Sequence, residues 1–201
     1  MLGANGSKRC SDDCATCARL EEAAVLLVVR DGLDRVDDQR LANAADISPD
    51  ELGRHDAGSL RAAVSRAYVD GAVRLQAAFI HRVRAAETWR DGLSDAIAGV
   101  AADAEEDPDL VHLCCVGIFQ GDRELQGLYH ATRERSIVLL GREWLRHHEG
   151  SPPMLQLELL CGAITQAVAA CAASGDMTAL GERLEGARFL AMAGAPAAVF
   201  V

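Results

Sequence analysis

Apolar residues recur every three or four positions along most of the chain, with polar residues between them. The first such stretch sets Leu20, Ala23, Ala24, Leu27 and Val28 on one face of a helix from about Asp12 to Arg30, and Gly32 stands beyond it as a terminator. A short helix follows over Asp38 to Ala45, then a turn, then a start signal at Ser48-Pro49-Asp50-Glu51. Ser48 suits an N-cap, Pro49 the first helical position, and Glu51 the acid of a capping box. Asp46 falls in the turn, where a left-handed backbone suits Gly best and Asp tolerably. Longer helices are predicted over Gly58–His81, Glu87–Ala104, Leu110–Phe119 and Asp122–His148, then from Pro153 to Ala173 and from Met177 to Met192. Counting the helix that this start signal opens, the pattern predicts nine helices, no internal repeat and an all-α fold.

Composition agrees. Half of the 201 residues are apolar but only 4% are aromatic, five are proline, and no alternating run of Val, Ile, Thr or Tyr appears. No apolar run approaches the ~18 residues of a membrane span, and the first 17 residues lack the apolar core of a signal peptide. The expectation is a cytoplasmic protein without a membrane partner.

From Leu20 to Leu52 the chain reads LEEAAVLLVVRDGLDRVDDQRLANAADISPDEL. An Ala- and Leu-rich first helix, then Gly32, Leu41-Ala42, Ala45 and Ile47-Ser48 resemble the N-terminal pattern of the TetR family of one-component transcriptional regulators. The segment from Asp107 through the last two helices looks like that family's ligand-binding and dimerisation part, and the order and lengths of the nine helices add weight to the resemblance. The resemblance covers residues 19 to 192. It implies a flexible Cys-containing extension over residues 1–18, a three-helix helix-turn-helix domain over 19–66, and a ligand-binding and dimerisation domain over 67–201. It further implies a ligand-responsive regulator, in the repressor mode, that binds operator DNA as a homodimer and answers to a small-molecule effector. The reading helix maps to Ser48–His55, with Arg40, Ser48, Arg54, His55 and Ser59 facing DNA.

Charge cuts across that expectation. The net charge is −10, and residues 1–66 carry nine Lys/Arg against twelve Asp/Glu. Between Asp38 and Asp56 there are two Arg and five acids. Duplex affinity comes largely from cations meeting phosphates. The family's usual aromatics are replaced by Gly53 and Asp56, and its phosphate-holding Lys by Ser59. The alternative reading is therefore a TetR-like protein with weak or lost DNA binding, acting as a ligand- or protein-binding module.

Other candidate chemistry is sparse. Cys10, Cys14 and Cys17 form C-x3-C-x2-C, which on a helix puts three sulfurs on one face for zinc or thiol sensing, one ligand short of a closed zinc site. The competing reading is an N-terminal extension that the core does not need. Of seven cysteines, Cys114, Cys115, Cys161 and Cys171 lie in apolar helical segments and read mainly as small core residues. Trp89, Phe119, Tyr129 and Trp144 either line a ligand pocket with His112 and Cys115 or pack as ordinary core. No nucleophile–base order, phosphate-cradling loop or paired carboxylates stand out, so neither an enzyme nor a cofactor is expected. Two apolar faces on the last helices, through Leu155, Leu159, Ile164 and Val168 and through Leu180, Leu184 and Leu190, predict a homodimer joined there.

Overall fold

A computed structural model describes residues 14–120 and 123–193. Among them lie nine α-helices and no strand: α1 (Ala15–Asp31), α2 (Asp38–Ala44), α3 (Pro49–Leu52), α4 (Leu60–Ala85), α5 (Trp89–Glu106), α6 (Pro108–Cys115), α7 (Arg123–Trp144), α8 (Met154–Ser174) and α9 (Leu180–Ala193). Short 3-10 turns connect some of them. The chain divides into two compact units, Met1–Asp70 and Gly71–Val201, with the boundary inside α4.

In the first unit, α1 buries Cys17, Leu20, Ala23, Ala24, Leu27 and Val28. This is the face read from the sequence, extended by one residue toward the N-terminus. Residues 15–18 thus belong to the first helix rather than to an extension, and Cys17, at 1% exposure, is a core side chain. The helix stops at Gly32, whose φ of 81° no branched side chain adopts easily and whose N–H closes on the Val28 carbonyl at 2.9 Å.

After α2 the backbone turns at Asp46, with φ 54°. The Ile47 N–H reaches the Ala42 carbonyl (3.1 Å) and the Asp46 N–H that of Asn43 (3.3 Å). This is a Schellman ending, with Asp in the place glycine usually takes. Ser48 then caps α3: its Oγ accepts from the Glu51 N–H at 3.3 Å and donates to Glu51 Oε2 at 3.2 Å.

The expected reading helix over Ser48–His55 shortens to one turn, Pro49–Leu52. Gly53 has a poor helix propensity, and beyond it the bonds tighten to three-residue spans: Arg54 N–H to Glu51 O, His55 to Leu52, Gly58 to His55. Gly58 passes so close over the end of α3 that an added Cβ would stand 2.0 Å from the Leu52 carbonyl oxygen.

In the second unit one apolar cluster joins α4, α5, α7, α8 and α9 through Val83, Trp89, Ile97, Leu140, Trp144, Leu160, Val168, Leu180 and Leu184. Each large side chain buried this way is worth about 1.5–3 kcal/mol against exposure. Gly92 lets α5 approach α4 closely, since a Cβ there would meet the Val83 carbonyl oxygen at 2.4 Å. Polar pins set the helices relative to one another. Arg82 grips Asp103 with two bonds of 2.8 and 2.7 Å, and Gln76 donates to Thr132 O and Ser136 Oγ across α4 and α7. Glu143 on α7, 3% exposed, takes Arg84 of α4 at 2.5 Å. Its second oxygen has Arg146 at 3.6 Å and no hydrogen bond.

Asp107 caps α6 through the Leu110 N–H, and Asp176 accepts from the Thr178 N–H at the 3-10 turn that precedes α9. The expectation of no membrane-length apolar helix needs correction: α8 is long and apolar enough to cross one by length and composition. Its Ala and Cys residues keep the average high although Gln156, Glu158, Thr165 and Gln166 interrupt any unbroken apolar run. Leu157, Leu160, Val168 and Cys171 of this helix are packed inside the unit.

Candidate functional site

The helix-turn-helix surface is built from α2, the Asp46 turn, α3 and the start of α4. Its predicted DNA-facing residues are largely engaged within the chain. Arg40 forms an ion pair with Asp31, and its second guanidinium nitrogen donates to the Arg35 carbonyl at 2.5 Å. Asp31 is held down to about 2, first by the hydrogen bond from Arg30 and further by Arg40, while partial burial pushes the other way. Ser48 is occupied with capping α3. Ser59 caps α4, accepting from the Ala62 N–H at 3.1 Å. The Leu60 N–H donates to the Asp38 carboxylate at 2.7 Å, so an acid already neutralises the positive end of α4. Arg54 is an exposed side chain just past α3.

His55 has a different neighbourhood from the one its place in the reading helix implies. Its Nδ1 stands 3.5 Å from the Sγ of Cys14, 41 positions earlier. One ligand atom from each of Cys14, Cys17 and His55 lies within 4.8 Å of the others. Cys14 precedes the first turn of α1 and Cys17 sits within it. The Cys14 thiol is pulled down to about 6, first by the backbone of Cys17, then by the Cys17 side chain and the His55 ring, against the opposing effect of burial. Arg66, paired with Glu21 at 2.6 Å, also feels the Cys17 sulfur. Cys10 lies outside the described residues. Sequence spacing pointed to Cys14 and Cys17; nothing local pointed to His55 as their companion.

The aromatic candidates of the second unit divide. Trp89 and Trp144 belong to the buried cluster, and Cys115 packs against it. Trp144 also stacks on His148, ring centres 4.6 Å apart. Tyr129 on α7 places its hydroxyl 3.5 Å from Thr165 of α8. His112 on α6 is half-buried, and that burial lowers its pKa against the pull of Asp109. The side chain of Phe119 lies outside the described residues. Burial pushes the thiols of Cys114, Cys115 and Cys161 upward, the last two to about 12 and about 11, which suits inert core residues.

α8 and α9 expose several large apolar side chains among the charged Glu158, Glu182, Arg183 and Glu185. Leu155 and Leu159 are 69% and 55% exposed and Phe189 72%. Gly162, Gly181 and Gly186 open on unfilled space. Of the residues expected to face a second copy, Val168, Leu180 and Leu184 instead pack within the chain, Ile164 is partly buried, and the side chain of Leu190 lies outside the description.

No protein-family model and no curated protein sequence matches this chain. Solved structures do match. The fatty acid degradation regulator FadR from Bacillus halodurans superposes with a TM-score of 0.75 at 13% identity, over 92% of this chain and 99% of that one. A TetR family transcription regulator from Marinobacter aquaeolei VT8 superposes with a TM-score of 0.62 at 15% identity, over 87% and 94%. Near-complete coverage of both partners carries the likeness beyond a shared helical hairpin, through the small first unit and the larger second one. The chain has the all-α fold of the TetR-type transcription regulators.

Proposed function

We propose that the protein is a ligand-responsive transcription regulator of TetR type, probing DNA with residues 19–66 and receiving an effector and a second copy with residues 67–201. The observation that carries this reading is the α2–α3 pair: a Schellman turn at Asp46 and the Ser48 N-cap, its hydroxyl bonded to the Glu51 carboxylate, set two short helices in the helix-turn-helix arrangement. The shared fold with two named regulators supports it. Catalysis is no part of the proposal. The site of action is intracellular, where DNA is.

The homodimer forms through α8 and α9, with Leu155, Leu159 and Phe189 as the anchoring side chains. The open glycines beside them allow close approach of two helix pairs. The effector is a small, mainly apolar molecule taken up by the second unit near Trp89, Cys115, Phe119 and Trp144, with His112 and Tyr129 as polar contacts. Its release or binding changes the separation of the two DNA-facing units and so lifts repression.

A second reading, in which duplex binding is weak or lost and the protein acts through its ligand or another protein, is favoured by one specific arrangement. Arg40 is spent on Asp31, and Asp38 occupies the α4 start that would otherwise hold a phosphate. Fluorescence anisotropy with duplex DNA from upstream of the protein's own gene separates the two. Under the first reading binding is saturable, is lost in Arg54→Ala, and falls with salt at a slope near −0.9 for each phosphate neutralised. Absence of binding at low salt supports the second. Nanomolar binding at physiological salt that survives Arg54→Ala overturns the assignment of this surface.

A further inference from the structure

We propose that Cys14, Cys17 and His55 form a binding site for a zinc ion. Two sulfurs and one imidazole nitrogen are the donor set zinc prefers, and they come from two separate parts of the first unit: the start of α1 and the turn after α3. The spacing Cys14-Ala15-Thr16-Cys17 places both sulfurs at one helix start.

The distances fit. Around a tetrahedral zinc with Zn–S of ~2.3 Å and Zn–N of ~2.0–2.1 Å, a sulfur and a nitrogen ligand sit about 3.6 Å apart and two sulfurs about 3.8 Å apart. The Cys14 sulfur and the His55 nitrogen already stand at 3.5 Å, and the whole triad lies within 4.8 Å. Closing on an ion therefore asks for shifts of about an ångström or less.

The surroundings fit as well. Cys17 is buried at 1% exposure, so its sulfur is held in place by core packing, while Cys14 and His55 are half-buried and accessible to an incoming ion. A redox pair would need only the two cysteines; a histidine drawn in from 41 positions away is what distinguishes a metal site. The described residues supply three ligands, which leaves a fourth position open to water or to a further donor, the pattern of zinc sites that exchange a ligand.

The site ties the start of α1 to the turn that ends the DNA-facing helix. Zinc uptake therefore fixes residues 53–58 against α1 and holds the His55 ring on the metal, where it is not available to a base or phosphate.

The test uses the full chain, reduced and stripped with a chelator, then titrated with Zn²⁺ against a chromophoric competitor and separately with Co²⁺. The expected result is one ion per chain. Cobalt should show the visible bands of tetrahedral coordination and a near-ultraviolet thiolate-to-metal band. Cys14→Ser and His55→Gln, neither of them a core substitution, should each weaken binding by more than the ~10–100-fold typical of changes outside the coordinating set. Cys14→Ser should also diminish the thiolate band. Circular dichroism confirms that both variants stay folded. No uptake by the wild-type chain, or equal uptake by both variants, overturns the site. Metal uptake is read without DNA, so its failure leaves the regulator reading standing.

Discussion

The carboxylate of Asp38, at the start of α2, accepts the backbone N–H of Leu60, the first residue of α4, at 2.7 Å. One acidic side chain thus closes two helices of the first unit together and fills the position where a helix start would meet a phosphate. Asp38→Ala is expected to cost about 1 kcal/mol of stability, the typical loss of a helix cap. It should at the same time raise affinity for duplex DNA of any sequence. Denaturant unfolding and anisotropy on the same preparation check both halves; a variant that loses stability without gaining DNA affinity contradicts the electrostatic part.

Cys14 supplies a pH-dependent signature in the metal-free, reduced chain. Its thiol is lowered from 9.0 to about 6, so the folded state holds the thiolate where the unfolded chain holds the thiol. A group depressed in this way stabilises the fold fully above the unfolded value, and that contribution fades as pH falls through about 6. Alkylation by iodoacetamide should accordingly rise with a midpoint near pH 6 at Cys14, while Cys114, Cys115 and Cys161 stay slow at neutral pH. Peptide mapping identifies which thiol has reacted. A Cys14 midpoint above 8 refutes the assignment, and bound zinc should abolish the fast phase.

The proposed dimer face through α8 and α9 predicts a clean dissociation. Leu155→Glu with Leu159→Glu puts four like charges into a two-fold contact without touching a residue buried in the single chain. Light scattering should report a monomer with helicity unchanged, whereas Val168→Glu should damage the fold itself. Retained dimers in the double variant would move the interface elsewhere.

Gly58 should tolerate no side chain. An added Cβ meets the Leu52 and His55 carbonyl oxygens at 2.0 and 2.6 Å, both backbone atoms that cannot step aside alone. Gly58→Ala is expected to destabilise the first unit by about 1–3 kcal/mol, and Gly53→Ala, where a Cβ meets nothing, is expected to leave stability unchanged or slightly raised. The pair of melting curves decides; equal behaviour of both variants would contradict the tight turn.

The helices were legible because their signals are local. Leu20, Ala23, Ala24, Leu27 and Val28 announce a face by spacing, and Asp46, Ser48, Asp107 and Asp176 act within three or four residues of themselves. The length of α3 was misjudged since a family pattern stood in for Gly53 and the three-residue bonds beyond it. The engagement of the DNA-facing candidates within the chain was legible only in part: Ser59 caps α4 from three residues away, whereas Arg40 meets Asp31 and Asp38 reaches the Leu60 N–H only once the helices pack. His55 beside Cys14 is the extreme case. A separation of 41 residues is closed by tertiary structure alone, and no window along the chain contains both.

Glu143 gives the second unit a keyed seam. Leucine and alanine on α7 could settle against α4 one helical turn up or down at little loss, because greasy surfaces discriminate poorly between neighbouring alignments. A buried carboxylate cannot: displaced by a turn it loses Arg84 and keeps its desolvation. We infer that the residue contributes alignment more than strength. Replacing Glu143 by Leu together with Arg84 by Met should then preserve or raise the melting temperature while broadening the amide resonances of α7, as one packing gives way to several.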